Sequence, residues 1–150
     1  KKFLLLNSHG GNQTTLNVAS MTLTKELNVD IYYAKTTASA KKTIGNFITS
    51  PLFGHSCERE VSEALYLAPE LVRPDQLEKG DIQESGRWKQ LRPGKAIQGF
   101  YFYEEMTQNG SIGDATKASW ELGQQIVEEA LDNLSKELIS LFNLKIDVYL

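Results

Sequence analysis

Phe3-Leu4-Leu5-Leu6-Asn7-Ser8-His9-Gly10-Gly11-Asn12 is the run that decides the fold. Four apolar residues without alternation read as a fully buried strand, and they stop at a polar, glycine-bearing turn. Residues 13–27 then place Leu16, Ala19, Leu23 and Leu27 on one face at helical spacing. Val29-Asp30-Ile31-Tyr32-Tyr33-Ala34 is rich in β-formers and predicts a second strand. Strand, helix and strand of these lengths make a βαβ unit, with parallel strands and a right-handed crossover. The fold class is therefore α/β, with parallel strands and flanking helices.

Beyond this unit the pattern loosens. Residues 35–54 are an irregular, Thr- and Ser-rich connection with a short helix expected at 39–48. A helix is predicted at 56–67, ending ahead of Pro69. Residues 79–95 form a long polar loop broken by Gly80, Gly86, Pro93 and Gly94, and loops of that length are usually functional or disordered. Residues 96–104, with Phe100-Tyr101-Phe102-Tyr103, predict a third strand. Asp114 is the expected N-cap of a final helix reaching Phe142. Its apolar face carries Trp120, Gly123, Val127, Leu131, Leu134, Leu138 and Leu141. The alternating tail at 143–150 predicts an edge strand or a segment packed on a partner.

The bulk numbers exclude several classes. At 150 residues, 41% hydrophobic and 23% charged, the chain suits one globular domain. A net charge of −3 without a basic stripe argues against nucleic-acid binding, and no apolar run has the length of a membrane span. The single Cys57 forms no internal disulfide, which fits a reducing, cytoplasmic setting. Lys1-Lys2 enters the first strand without Met or leader, so polypeptide upstream is expected to have been removed or to lie on another chain.

Two constellations carry chemistry. In Asn7–Asn12, Gly10 and Gly11 let backbone approach a ligand, Asn7 ties the loop, and His9 stands at the strand tip, where open α/β sheets bind ligands. The plainer reading is a helix-entry turn with a surface histidine. The second is Gly54-His55-Ser56-Cys57-Glu58-Arg59-Glu60, whose imidazole and carboxylates suit metal binding or general acid–base work. Its plainer reading is a capped helix start. A thiol enzyme using Cys57 at a helix N-terminus is a further alternative.

Taken together these segments resemble the creatininase family. Asn-Ser-His-Gly-Gly-Asn is similar to the family's Asn-Gly-His-Gly-Gly-Asn loop. His55-Ser56-Cys57-Glu58-Arg59-Glu60-Val61-Ser62 resembles its His-Ala-Gly-Glu-x-Glu-Thr-Ser. Gly110-Ser111-Ile112-Gly113-Asp114-Ala115-Thr116 resembles its closing Gly-x-x-Gly-Asp-Pro segment. The resemblance implies a three-layer fold of which residues 1–150 supply the C-terminal half, and metal-dependent hydrolysis of an amide, cyclic amide or formamide C–N bond in a small molecule. It implies His55 and Glu58 as catalytic residues and His9 and Glu60 as ligands of a divalent metal, zinc, manganese or iron. Asn7, Gly10, Gly11 and Cys57 would then line the substrate site. Ser56-Cys57 stands where the family has Ala-Gly, and Val61 where it has Thr. The family's N-terminal metal ligands are absent, so an N-terminal half chain is the expected partner, with assembly into a hexamer-like homo-oligomer. The competing reading is a non-catalytic assembly subunit that keeps the fold.

Overall fold

Strand β1, Lys2–Asn7, pairs in parallel with β2, Asp30–Lys35, in a register that sets Phe3 opposite Ile31 and Asn7 opposite Lys35. Helix α1, Gln13–Leu27, crosses between them and packs on β2, and Tyr33 Oη donates to Asn17 Oδ1. Asn28 closes α1 in the left-handed conformation (φ 49°), which asparagine tolerates better than most residues. These elements are those that hydrophobic spacing predicted, within a residue of the expected ends.

This is a computed structural model, and it describes residues 1–92 and 94–144. The expected tail strand falls for the most part on residues 145–150, outside the described residues. The chain divides into two units, one of Lys1–Lys41 with Val127–Leu150, the other of Lys42–Ile126.

In the first unit the end of the last helix, α5 (Trp120–Phe142), lies against the strands. Phe142 meets Tyr32 edge-on with 5.5 Å between ring centres, and Lys2 Nζ lies 5.3 Å from the Phe142 ring. Asn133 Nδ2 donates to the Ser39 carbonyl at 3.1 Å. The expectation that residues 3–6 are fully buried is not met. Phe3, Leu5 and Leu6 are exposed, Leu6 by 59%. Among the described residues β1 has one strand neighbour, and a run apolar on both faces is buried only when both faces are covered.

The second unit has little regular structure: α2 (Lys41–Phe47, which begins one residue before the unit), α3 (Glu58–Leu67), α4 (Trp88–Leu91) and the first turns of α5. Its loops are tied by isolated antiparallel bridges, His55 to Ile112, Lys79 to Asp114 and Ile82 to Thr107. Residues 79–92 are thus not a free polar loop. Trp88, 1% exposed, anchors them in a cluster with Met106 and Ile112, flanked by Leu52, Ile82 and Tyr101, while its Nε1–H donates to the Gln83 carbonyl. Burial of an indole on this scale contributes about 3 kcal/mol or more to holding the segment.

Two further expectations are corrected here. Residues 96–104 form no strand; the chain is irregular, bends at 96–97, and makes a 3₁₀ turn at Tyr103–Glu105 after an extended Phe102. β-Propensity needs a partner strand. The Gly99 N–H goes instead to the Leu91 carbonyl, and Ile97 and Phe100 are about three-quarters exposed. Asp114 caps only a 3₁₀ turn, Ala115–Lys117, after which Ala118 is extended. Helix α5 starts at Trp120, with Ser119 Oγ accepting from the Leu122 N–H at 3.1 Å. The buried stripe of α5 runs through Gly123, Ile126, Val127 and Ala130, whereas Trp120, Leu131 and Leu141 of the expected face are exposed.

Candidate functional site

The Asn7–Asn12 loop belongs to the first unit and is organised from Asn7. This residue ends β1 and is buried, and its Oδ1 accepts from the His9 N–H (3.2 Å) and from Asn12 Nδ2 (3.3 Å). His9 lies on the surface, with Nδ1 accepting from the Gly11 N–H at 3.2 Å. A Cβ at Gly11 would come within 3.0 Å of the imidazole, whereas one at Gly10 would meet nothing within 4 Å. Gly11 therefore lets the ring fold back over its own loop.

His55, Cys57, Glu58 and Glu60 belong to the second unit, at the start of α3. Ser56 turns the chain with φ 45°, and Cys57 is the N-cap residue. Three ties join this start to residues 111–114. The Ile112 N–H donates to the His55 carbonyl (2.7 Å), Ser111 Oγ to the Ser56 carbonyl (2.9 Å), and the Asp114 N–H to Glu58 Oε2 (2.8 Å). Gly113, at φ 134°, is required here, because a Cβ would stand 2.6 Å from Cys57 Cβ and 2.7 Å from Glu58 Oε2. The second and third sequence motifs are thus one physical object. Below them Ser62 Oγ donates to the Glu58 carbonyl and accepts from the Ser119 N–H.

Each side chain of the α3 start has a distinct setting. Glu58 is 1% exposed. Burial pushes its carboxyl up, but hydrogen bonds from Ser50 and from the backbone N–H of Asp114 outweigh this and hold it below the usual carboxylate range. Cys57 is fully buried. Glu60 reaches back so that Oε2 accepts from the Ser56 N–H (2.7 Å), while Oε1 pairs with Arg59 at 3.0 Å. His55 is half-buried and meets Tyr103 edge-on, 5.0 Å between ring centres. The Tyr103 hydroxyl is pushed up by its own burial, with the negative charge of Glu60 adding. Tyr103 is the neighbour of His55 that sequence reasoning did not place at the site. A cavity of about 440 Å³ opens beside Ser56 and Glu60, bounded by Arg73, Gln76, Glu78, Asn109 and Ser111.

A family model described as creatininase, creatinine amidohydrolase, matches residues 1–138. The chain belongs to the creatininase family. A solved structure from Bacteroides fragilis classed as a creatinine amidohydrolase aligns over 98% of this chain and 55% of its own, at TM-score 0.79 and 20% identity. A creatinine amidohydrolase (creatininase) structure aligns over 95% and 56%, at TM-score 0.75 and 18% identity. A manganese creatininase aligns over 93% and 56%, at TM-score 0.64 and 18% identity. The comparison with curated proteins found no match. The fold is the α/β creatininase-like fold, and the chain spans about half the length of these structures.

The donors of this chain do not fit a complete metal centre. Among the described residues no group of three or more His, Cys, Asp or Glu side chains is placed to hold an ion, and a catalytic centre generally takes three protein ligands. Both Glu60 oxygens are engaged, His9 Nδ1 accepts from the Gly11 N–H, and Glu58 Oε2 is taken by Asp114, which leaves Glu58 Oε1 as a buried oxygen without a hydrogen-bond partner. Nor does any described helix have the length and apolarity to cross a membrane.

Proposed function

We propose that residues 1–150 are the C-terminal half of a creatininase-type hydrolase that cleaves an amide, cyclic amide or formamide C–N bond in a small molecule. The observation that carries this reading is the cross-tying of residues 55–58 to 111–114. It fixes the backbone of His55 on both sides while leaving its imidazole accessible beside Tyr103. An imidazole held in this way takes a proton from an attacking water and returns it to the leaving nitrogen, a contribution of about 10²–10⁴-fold. Glu58, buried and tied to Asp114 through Oε2, holds the α3 start in place, and its unpartnered Oε1 is the atom left for the catalytic part that the resemblance implies.

Asn7 shapes the first loop, and Gly10 and Gly11 keep it low enough for a substrate to approach. Cys57 stands behind the site as a wall. Its burial argues against a thiol nucleophile, which requires access. His9 in the first unit and Glu60 in the second are the side chains that the resemblance assigns to divalent-metal binding, manganese or zinc. Each must first release the bond that now occupies it, and the other donors come from polypeptide outside this chain. Support for an N-terminal partner lies in the exposed Phe3, Leu5 and Leu6 and in the half-length coverage of the relatives. Assembly into a homo-oligomer in the cytoplasm belongs to the same proposal.

The test is hydrolysis by the assembled protein of a panel containing creatinine, a hydantoin and a formamide, with His55→Ala beside it. Activity that falls a hundredfold or more in a variant with unchanged melting supports the proposal. No hydrolysis across the panel, or activity indifferent to His55→Ala, favours the non-catalytic assembly subunit.

A further inference from the structure

Residues 79–92, part of the 79–95 segment whose length suggested function or disorder, help to wall a second cavity of about 340 Å³ within the same unit. Ser50, Pro51, Leu52 and Gly113 face it, and the indole of Trp88 lines it. This volume lies in the range of small-molecule sites. Its charge runs against that of the whole chain. Lys79, Lys89 and Arg92 border it with Glu84 as the one lining carboxylate, in a protein of net charge −3.

Only part of this positive charge is neutralised. Lys89 pairs with Glu84, whereas Arg92 and Lys79 enter no ion pair among the described residues. Asp114 feels the charge of Lys79 but is itself engaged by Thr116. The Arg92 guanidinium lies 5.3 Å from the centre of the Trp88 ring. A guanidinium held against an aromatic ring spends none of its N–H donors on that contact, and a carboxylate takes two of them at once. The platform is rigid, because Trp88 is locked by the Gln83 carbonyl and by its packing on Met106 and Ile112. Pro51, Leu52 and Ile82 supply apolar wall for the rest of a ligand.

We infer that this cavity binds a small organic anion, a carboxylate or phosphate on a flat apolar body, gripped by Arg92 with Lys79 as the second positive charge. The inference does not rest on the hydrolase reading, since the cavity is built without His9, His55 or Glu60.

The test uses the full chain in its native assembly with Trp120→Phe, which leaves Trp88 as the only tryptophan of residues 1–150, and a Trp88→Phe sample supplies the background from any partner. Benzoate, phenyl phosphate, inorganic phosphate and the neutral benzamide are titrated while Trp88 fluorescence is followed. The expected result is a saturable change with benzoate or phenyl phosphate and none with benzamide. Arg92→Gln should weaken it at least tenfold, Arg92→Lys should weaken it less, and Lys136→Gln, which does not line the cavity, should leave it unchanged. A response to inorganic phosphate equal to that of phenyl phosphate would restrict the ligand to a bare anion and overturn the apolar body. No saturable change in a protein that melts like its parent would overturn the site, as would equal binding of benzamide or indifference to Arg92→Gln.

Discussion

Gly123→Ala offers the sharpest test of how the second unit is packed. The first turns of α5 meet α3 so closely that a Cβ on residue 123 would stand 1.9 Å from the Ser62 carbonyl oxygen, 2.6 Å from its carbon and 3.0 Å from Tyr66 Cβ. An ordinary carbon–oxygen contact is about 3.2 Å or more, so the helices would have to separate by over an ångström, and the obstacle is backbone. Overpacking of this kind costs about 3 kcal/mol at the upper end of its usual range, while alanine's better helix propensity returns about 1 kcal/mol. The net loss is about 2 kcal/mol, or about 6 °C in Tm for a chain of this size. Separation would also strain the Ser62–Ser119 hydrogen bond and the Tyr66–Trp120 ring contact. Gly45→Ala, in α2 with nothing within 4 Å of the new methyl, is the matched control and should gain about 0.5–1 kcal/mol. Urea denaturation of the three proteins reads both effects. A Gly123→Ala protein as stable as its parent would refute the close approach of α3 and α5.

Glu58→Gln should flatten the acid limb of the stability profile. The folded carboxyl titrates below its ordinary 4.5, so its contribution is present above that pH and is lost as pH falls through the lower folded value. Wild-type and variant curves should therefore converge in acid, and parallel curves from pH 7 to pH 3 would contradict the assignment. Cys57 should resist a thiol reagent in the native protein and react fully in denaturant, and rapid native labelling would show that its burial is wrong. The purified 150-residue chain alone should carry well under one manganese or zinc per chain by elemental analysis, and a tightly held equivalent would show that its own donors suffice.

What could be read in the sequence was what depends on near neighbours. The β1–α1–β2 order follows from spacing and from the turn at Asn7–Asn12, and α3 from its stop at Ala68-Pro69. The aromatic run at 100–103 misled because the chain's own chemistry suits a strand while strand formation needs a partner that is absent among the described residues. Asp114 has the local signature of a helix cap, and only the extended Ala118 passes that role to Ser119. The individual site residues were visible in their motifs. The ties that organise them join positions more than fifty residues apart, such as Glu58 to Asp114 and Ser62 to Ser119, and no local pattern announces them. Tyr103 was hidden for the same reason. Trp88 did leave a signal, as a large aromatic inside an otherwise polar stretch, which length alone had marked as a loop.

The contact between Cys57 and Gly113 also couples what the two positions can accept. The motif that this segment resembles has glycine where Cys57 stands, so the cysteine adds its own Cβ to what crowds residue 113. Once a side chain occupies 57, any residue with a Cβ at 113 meets it at 2.6 Å as well as adopting an unfavourable φ. Residue 113 is thus closed to a side chain on three counts, by Glu58, by Cys57 and by its own φ, and reverting the cysteine to glycine would lift only one of them.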